Sequence, residues 1–364
     1  MKRQTCEIYQ DLPKYDDVAH YIYAAVESTR AFFKRPFLDI VDEIKDALRQ
    51  GKTKFIFLAT EEALLPLSIS KIHRLLAVLG NEVDASQFYY LTSSIDGERA
   101  YNNYCERIGY NGRKITILPA HAFERKAQFG LRDITINTDV EPNITKEKLF
   151  LCFNKVNREH RIWLLEKMLE LNLVEKSYYS FEGEPGWINH LPNYKFPNIQ
   201  KHRNKFPLRL NITEDRTNPV NIIPDDIIYH KNSYFSIVTE TLYFDNTHPA
   251  IYHKANVEDS IFFTEKTYRC FALKHPFVLM GRPGSLAALR QSGYKTFYPF
   301  IDEKYDEIVD NTERFNFIIG EIVRLCNFTT DQWTEWTKGI KEIVDYNHNH
   351  FFNRKTYDAK TISK

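Results

Sequence analysis

The chain has 364 residues, of which 43% are hydrophobic and 27% are charged. This composition predicts a globular protein that is large enough for two domains. The 49 lysine and arginine residues nearly balance the 48 aspartate and glutamate residues, so no overall field directs the chain to nucleic acid or anionic lipid. The stretch MKRQTCEIYQDLPKYDD contains no apolar run of signal-peptide length, and no apolar run in the sequence reaches membrane-spanning length. We therefore expect a soluble, cytoplasmic protein.

The first 140 residues predict one Rossmann-like domain. Helical spacing at 16–33 and 37–51 is followed by short apolar runs that alternate with amphipathic segments. Strands are predicted at 54–60, 87–94 and 114–120, with helices at 68–80 and 98–109. Such alternation is typical of βαβ units and a parallel sheet. A polar stretch at 128–147 then predicts a connection to a second domain.

Residues 145–340 repeat the alternation and predict a second Rossmann-like domain. Its strands are predicted at 148–154, 176–181, 234–240, 277–281 and 295–299, and its helices at 160–174, 264–275 and 285–293. Helical spacing at 312–326 and 331–352 closes the chain, with residues 341–364 assigned to a terminal helix and tail. Two parallel sheets joined by a connection predict an α/β fold in which two domains face a cleft.

A long interruption, residues 182–233, is rich in proline and predicts a loop inside the second domain. Its most basic part is KHRNKFPLR at 201–209. Two interpretations remain open for this part. It is either a solvated surface with ordinary lysines or a surface that meets an acidic acceptor.

The stretch TEK at 264–266 is predicted to begin a helix and to seat an anion. Thr264 occupies the expected N-cap position, and Glu265 and Lys266 lie in the first turn. A lysine there opposes the helix dipole, and a bound phosphate on the unpaired amides would remove this conflict. Glu265 suits hydrogen bonds from the hydroxyls of a ribose. The competing interpretation is a capped, solvated helix start.

Two further strand ends of the same predicted sheet carry polar groups. Glu240 ends the strand that precedes the TEK helix, and Asn157, Arg158 and Arg161 crowd the junction after the strand at 148–154. Arginine binds two phosphate oxygens at once. Because carboxyl ends of parallel strands share one edge of a sheet, these groups together predict a site for a nucleotide diphosphate. No metal is predicted to take part.

The run from VTET at 238–241 to FFTEKTYRCFALKHPFVLMG resembles the donor-binding motif of α1,3-fucosyltransferases. The resemblance covers residues 148–300 and implies the two-domain GT-B fold, with residues 1–140 as the acceptor domain. It implies that Glu265 holds ribose, that Lys266 with Arg161 or Arg158 holds the diphosphate, and that Glu240 lies near the donor sugar. The segment GRPGSLAALRQSGYKTF is similar to uncharacterised glycosyltransferase-like chains of tailed phages and other viruses. This similarity implies that the protein, if it is viral, is located in the cytoplasm of the host cell.

The resemblance implies a hexosyl- or pentosyltransferase that moves a sugar from a nucleotide-diphosphate sugar, as donor substrate, to an acceptor hydroxyl. The acceptor is expected to be either a glycan or a hydroxymethylated base in viral DNA. If it is the DNA base, the protein would be a DNA-modifying enzyme. Thr241 stands where the family has asparagine, so the donor need not be GDP-fucose. The alternative function is a non-catalytic nucleotide-sugar-binding or structural module.

The catalytic base is expected on the acceptor side. Glu61, Glu62 and Asp96 follow the first strands of the amino-terminal half and are the candidates. Only their position supports this role, and the competing interpretation is that each is an ordinary loop residue.

Overall fold

The computed structural model describes most of the second half of the chain and parts of the first. The described residues are 21–23, 46, 48–51, 54–59, 63–64, 66–132, 145–183, 186–192, 194–210, 227–244 and 260–354. The chain divides into two compact units, each with its own four-stranded parallel sheet. Unit 1 contains Met1–Ala122, Ala255–Ile261 and Lys355–Lys364, and unit 2 contains Phe123–Lys254 and Phe262–Arg354. The α/β fold class predicted from the sequence is confirmed.

Unit 1 has its strands in the order β1-β2-β3-β4. The strands are β1 (Tyr21–Tyr23), β2 (Phe55–Ala59), β3 (Phe88–Thr92) and β4 (Thr116–Pro119), and the longer helices are α1 (Pro66–Leu79) and α2 (Gly97–Arg107). Aromatic rings stack across β2 and β3. The ring centroids of Phe55 and Phe88 are 5.3 Å apart, and those of Phe57 and Tyr90 are 4.9 Å apart. These aromatic side chains are buried and therefore build the core of the unit.

Within the helix that the sequence pattern predicts over residues 16–33, the three described residues form strand β1 instead. Tyr21 to Tyr23 pair in parallel with β2, and Tyr21 lies opposite Phe55. Tyrosine and isoleucine favour a strand when a sheet edge is present to pair with. Helical spacing in a short segment does not outweigh that tertiary pairing.

Unit 2 has its strands in the order β6-β5-β7-β8. The strands are β5 (Lys148–Asn154), β6 (Ser177–Phe181), β7 (Ser233–Thr239) and β8 (Phe277–Met280). The helices are α3 (Ala122–Leu131), α4 (Glu159–Glu170), α5 (Pro197–Lys201), α6 (Ile227–Lys231), α7 (Glu265–Ala272), α8 (Ser285–Gln291), α9 (Asn311–Cys326) and α10 (Thr330–Asn353). Every residue of β7 is buried, as expected for a central parallel strand with both faces covered.

Three details of unit 2 differ from the sequence predictions. Residues 295–299 do not form a strand, because their backbone amides donate to side chains and not to a neighbouring strand. Asn347 Oδ1 accepts from the Lys295 amide, and Glu303 Oε1 accepts from the Phe297 amide. The stretch predicted as a loop contains α5 and α6 in its described parts. The predicted boundary at 340/341 falls inside α10.

Among the helices that the structure describes, none combines the length and apolarity that a bilayer crossing requires.

Candidate functional site

The strand order of unit 2 creates a switch point between β5 and β7. The chain passes from β5 to β6 on one side and later returns to β7 on the other side of β5. In open parallel sheets, ligands bind beyond the carboxyl ends of the strands at such a point. A hydrogen bond of 2.6 Å from Thr239 Oγ1 to Asn154 Oδ1 joins the two strand ends. The residues that follow β5 and β7 are therefore brought together at the edge where a ligand is expected.

Helix α7 begins at this edge, as the sequence predicts. Thr264 is its N-cap, and the Thr264 hydroxyl accepts a hydrogen bond from the Lys266 amide at 3.4 Å. The predicted N-cap is confirmed. Thr264 is only 3% exposed, so its hydroxyl serves the helix start from inside the protein.

Glu240 lies directly after β7 and holds the start of α7. Its Oε1 accepts from the Thr264 amide at 3.0 Å and from the Thr267 hydroxyl at 2.6 Å. Its Oε2 accepts from the Thr264 hydroxyl at 2.8 Å and from the Thr241 amide at 3.2 Å. The side chain is 1% exposed, and each carboxylate oxygen already has two donors, which fills its usual acceptor capacity. This geometry ties Glu240 to the strand–helix junction rather than presenting it to a ligand.

Glu265 and Lys266 form an ion pair on the first turn of α7. Lys266 Nζ lies 3.0 Å from Glu265 Oε1 and 3.1 Å from the Thr264 hydroxyl, and each charged side chain is 23% exposed. Burial would raise the pKa of the Glu265 carboxyl, but the charge and hydrogen bond of Lys266, with the charge of Arg269, outweigh it and lower the pKa to about 2. Part of the electrostatic conflict that Lys266 creates at a helix start is thus relieved within the protein.

The depressed pKa of Glu265 predicts a pH dependence of stability. Its folded pKa of about 2 lies below its ordinary value of 4.5, so its contribution is complete above the ordinary value and is lost as pH falls through the folded one. We expect the wild type to be more stable than Glu265→Gln near neutral pH, and this difference to shrink between pH 4.5 and 2. Urea midpoints across that range measure the difference. A gap that stays constant to pH 2 would contradict the prediction.

Arg161 is a buried cation at the switch point. It is 3% exposed, and its guanidinium donates to the carbonyl oxygens of Val156 at 3.1 Å and Thr239 at 3.0 Å. Its Nε is buried without a hydrogen-bond partner in the described structure. Burial, and next the charge of Arg158, lower the pKa of Arg161 to about 10, against the opposing attraction of Glu240. Arginine at this pKa remains protonated near neutral pH.

No carboxylate within the described part of the chain lies at ion-pair distance from Arg161, whose hydrogen-bond acceptors there are both neutral carbonyls. A buried charge is costly unless an opposite charge compensates it. The more distant Glu240 carboxylate supplies part of that compensation. The site therefore has positive charge suited to an anion.

The loop between β5 and α4 places the other predicted cations. Arg158 occupies the N-cap position of α4, half-buried, and Asn157 beside it is 3% exposed. His160 Nε2 lies 3.0 Å from the backbone oxygen of Glu240, which links this loop to the end of β7. Asn157, Arg158 and Arg161 are therefore gathered with Glu240 at one sheet edge.

The sequence interpretation missed Thr239 and Thr267. Thr239 joins the ends of β5 and β7, and Thr267 donates to Glu240. A threonine directly before the strand-end glutamate and another three residues after the N-cap are the only local signals. Both are too common in strands and helices to identify a site.

Asp96 lies in unit 1, at the N-cap position of α2. Its Oδ1 accepts from the Ile261 amide at 2.7 Å, and its Oδ2 accepts from Arg99 Nε at 3.0 Å. The carboxylate thus has structural partners on both oxygens. Glu61 and Glu62 lie outside the described residues.

No protein-family model and no curated protein matches the chain. Two solved structures are similar. One is an α,α-trehalose-phosphate synthase (UDP-forming) from Burkholderia vietnamiensis, with a TM-score of 0.40 and 14% identity over 88% of this chain and 69% of that chain. The other is an α,α-trehalose 6-phosphate synthase from Burkholderia multivorans, with a TM-score of 0.37 and 15% identity over the same shares. Similarity this distant assigns no activity to the present chain.

Proposed function

We propose that the protein is a glycosyltransferase of the GT-B type, which transfers a hexose or pentose from a nucleotide-diphosphate sugar to an acceptor hydroxyl. The observation that carries the proposal is the buried Arg161 at the β5/β7 switch point, whose guanidinium donates, among the described residues, to two neutral carbonyls. Arg158 and Lys266 add positive charge at the same sheet edge. A diphosphate is the anion that such a set of three cations fits best.

The nucleotide would lie over the start of α7. Glu265 is ionised at neutral pH because its pKa is about 2, and an ionised carboxylate accepts the hydrogen bonds of vicinal ribose hydroxyls. Lys266, one residue away, would contact a phosphate oxygen. Glu240 acts in this proposal as a positioning residue, because its oxygens are occupied by the threonines of the strand–helix junction.

In the transfer step, the bond between the anomeric carbon and the phosphate oxygen breaks, and its electron pair leaves with the nucleoside diphosphate. The acceptor oxygen forms the new bond to the anomeric carbon and loses its proton to a base. Preorganised cations stabilise the charge that develops on the leaving group, and the proposal assigns this task to Arg161, Arg158 and Lys266 rather than to a metal ion. Asp96, Glu61 and Glu62 remain predictions for the base.

The acceptor has two candidates, a glycan and a hydroxymethylated base in DNA. A non-catalytic nucleotide-sugar-binding module is the alternative to an enzyme. Thermal denaturation with a panel of UDP-, GDP-, dTDP- and ADP-sugars tests the proposal, because a ligand of the folded state raises the melting temperature. Hydrolysis of the stabilising sugar nucleotide then separates an enzyme from a binding module. No stabilisation by any member of the panel would contradict the proposal.

Variants of the α7 ion pair test the assignment of Lys266 and Glu265. We expect Lys266→Ala to weaken binding of the stabilising sugar nucleotide about 10- to 150-fold, the range for losing a hydrogen bond to a charged group. Glu265→Ala should weaken binding of the nucleoside diphosphate by a similar factor. It should affect binding of pyrophosphate less, because pyrophosphate has no ribose. Isothermal titration measures both. The control is Lys304→Ala, an exposed lysine elsewhere in unit 2. Unchanged affinities in both α7 variants would remove these residues from the site.

A further inference from the structure

One segment of unit 2 concentrates positive charge in an otherwise balanced chain. We call residues 186–192 and 194–210 the basic insert. Between positions 186 and 210 the sequence has five lysine or arginine residues and no aspartate or glutamate, although the whole chain has a formal charge of only +1. The five are Lys195, Lys201, Arg203, Lys205 and Arg209. A local field of this kind attracts polyanions even when the overall charge is near zero.

The cations of the basic insert are on its surface. All five are exposed. Lys205 pairs with Glu175 at 3.4 Å and Lys195 with Glu159 at 3.8 Å, and exposed or long pairs of this kind contribute little and are easily exchanged. Most of the positive charge therefore remains available to a partner.

The described residues of the basic insert form a folded element that is anchored to the rest of unit 2. Glu166 of α4 caps α5: its Oε1 accepts from the Asn198 amide at 2.9 Å and the Asn198 side chain at 2.7 Å, and its Oε2 accepts from the Ile199 amide at 2.9 Å. Four large apolar side chains of the insert are buried. These are Trp187, Leu191, Phe196 and Ile199. The cations are thus held on a preorganised surface, which lowers the entropy cost of binding.

The basic insert returns to the sheet edge that carries the candidate site. Leu208 forms an antiparallel bridge with Phe181, the last residue of β6, through hydrogen bonds of 2.9 and 3.0 Å. Leu208 therefore lies beside the carboxyl end of β6, and Arg209 is the next residue of the chain. The Gly183 amide, just beyond β6, donates to the Lys155 carbonyl in the loop after β5 at 2.9 Å. The insert, the loop after β5 that carries Arg158 and the first turn of α4 that carries Arg161 thus belong to one edge of the sheet.

The exposed side chain of Tyr194 indicates which polyanion fits. It is 89% exposed beside Lys195 and is the exposed large hydrophobic side chain among the described residues of the insert. Surfaces that lie on a bilayer also insert leucine, phenylalanine or tryptophan, and none of the described side chains of these three types in the insert is exposed. An exposed aromatic ring among cations instead matches single-stranded nucleic acid, whose bases stack while its phosphates meet lysine and arginine.

We propose that the basic insert binds single-stranded nucleic acid, with phosphates on its five cations and a base stacked on Tyr194. This binding stands independently of sugar transfer. The further step, that the acceptor hydroxyl is carried by the bound nucleic acid, rests on the proposed function. The shared sheet edge is what connects the two.

Fluorescence anisotropy with a labelled oligothymidylate of about 20 nucleotides tests the proposal. If all five cations contact phosphates, the logarithm of the binding constant should fall with the logarithm of salt concentration with a slope of about −3.5. Lys201→Ala combined with Arg203→Ala should reduce the magnitude of the slope by about 1.4. Tyr194→Ala should weaken binding about 5- to 150-fold while leaving the slope unchanged.

The matched control is Lys304→Ala combined with Lys338→Ala, which removes two exposed charges elsewhere in unit 2 and should leave the slope unchanged. Equal slopes in the insert variant and the control would overturn the proposal. The proposal would also be overturned if the insert bound phosphatidylserine vesicles but not the oligonucleotide. A Tyr194→Ala variant that bound the oligonucleotide with wild-type affinity would overturn it as well. Stabilisation by sugar nucleotides, measured on the same variants, should persist, so that failure of this proposal and failure of sugar transfer give different results.

Discussion

Replacing Glu240 with alanine should lower the free energy of unfolding of unit 2 by about 3 to 5 kcal/mol, the cost of leaving a buried charged network without one partner. The substitution removes the acceptor of four hydrogen bonds, from Thr264, Thr267 and the Thr241 amide. It also removes the carboxylate whose charge favours the ionised form of Arg161. Urea denaturation followed by circular dichroism measures the loss, and the start of α7 should become less protected against amide exchange.

Two further variants separate the causes of this loss. Glu240→Gln keeps the shape but places an amide nitrogen near a donor, and it should cost about 1 to 3 kcal/mol. Glu170→Ala removes an exposed carboxylate at the end of α4 that pairs with Lys167 on the surface, and it should cost less than about 1 kcal/mol. If Glu240→Ala were as mild as Glu170→Ala, the carboxylate would not hold the junction, and its assignment as a positioning residue would be wrong.

Arg161→Met should separate activity from stability. Replacing a buried charge with an apolar side chain of similar length is often neutral for folding, although the carbonyls of Val156 and Thr239 lose a donor. We therefore expect the unfolding free energy to change by no more than about 1 to 2 kcal/mol. Turnover of the sugar nucleotide should fall about 100- to 1000-fold, the usual cost of removing one preorganised donor from a developing negative charge.

Arg161→Lys distinguishes charge from geometry. Lysine keeps a positive charge but lacks the planar fork that binds two oxygens at once, so it should retain part of the donor binding and less of the turnover. Arg107→Met, an exposed arginine in α2 of unit 1, is the matched control and should retain full turnover. Wild-type turnover in Arg161→Met would show that the buried guanidinium serves the fold alone.

The geometry adds a structural role to the one that the sequence predicts for Glu240. The resemblance to fucosyltransferases implies a position near the donor sugar, whereas its two oxygens hold Thr264 and Thr267. A strand-end carboxylate serves either purpose, and only its hydrogen-bond partners distinguish them. The partners lie 24 and 27 residues further along the chain, and a local pattern does not show which of them meet.

Local patterns were sufficient for much of the architecture. Alternating apolar runs and amphipathic segments predicted two parallel α/β sheets, and the bounds predicted for β5 agree with Lys148–Asn154. The N-cap at Thr264 was also predictable, because capping depends on a few neighbouring residues. These features follow from side-chain period and backbone chemistry, which the order of residues contains directly.

Tertiary structure decided the strand order and the partners of the charged groups. The order β6-β5-β7-β8 places Arg161 beside Thr239, which lies 78 residues further along the chain. The hydrophobic periodicity of the sequence does not show which strands become neighbours. The same holds for the basic insert, which the sequence pattern predicted as a loop and which Glu166 of α4 holds through hydrogen bonds to the start of α5. Burial and pairing between distant segments determine which charges are compensated inside the protein and which remain for a ligand.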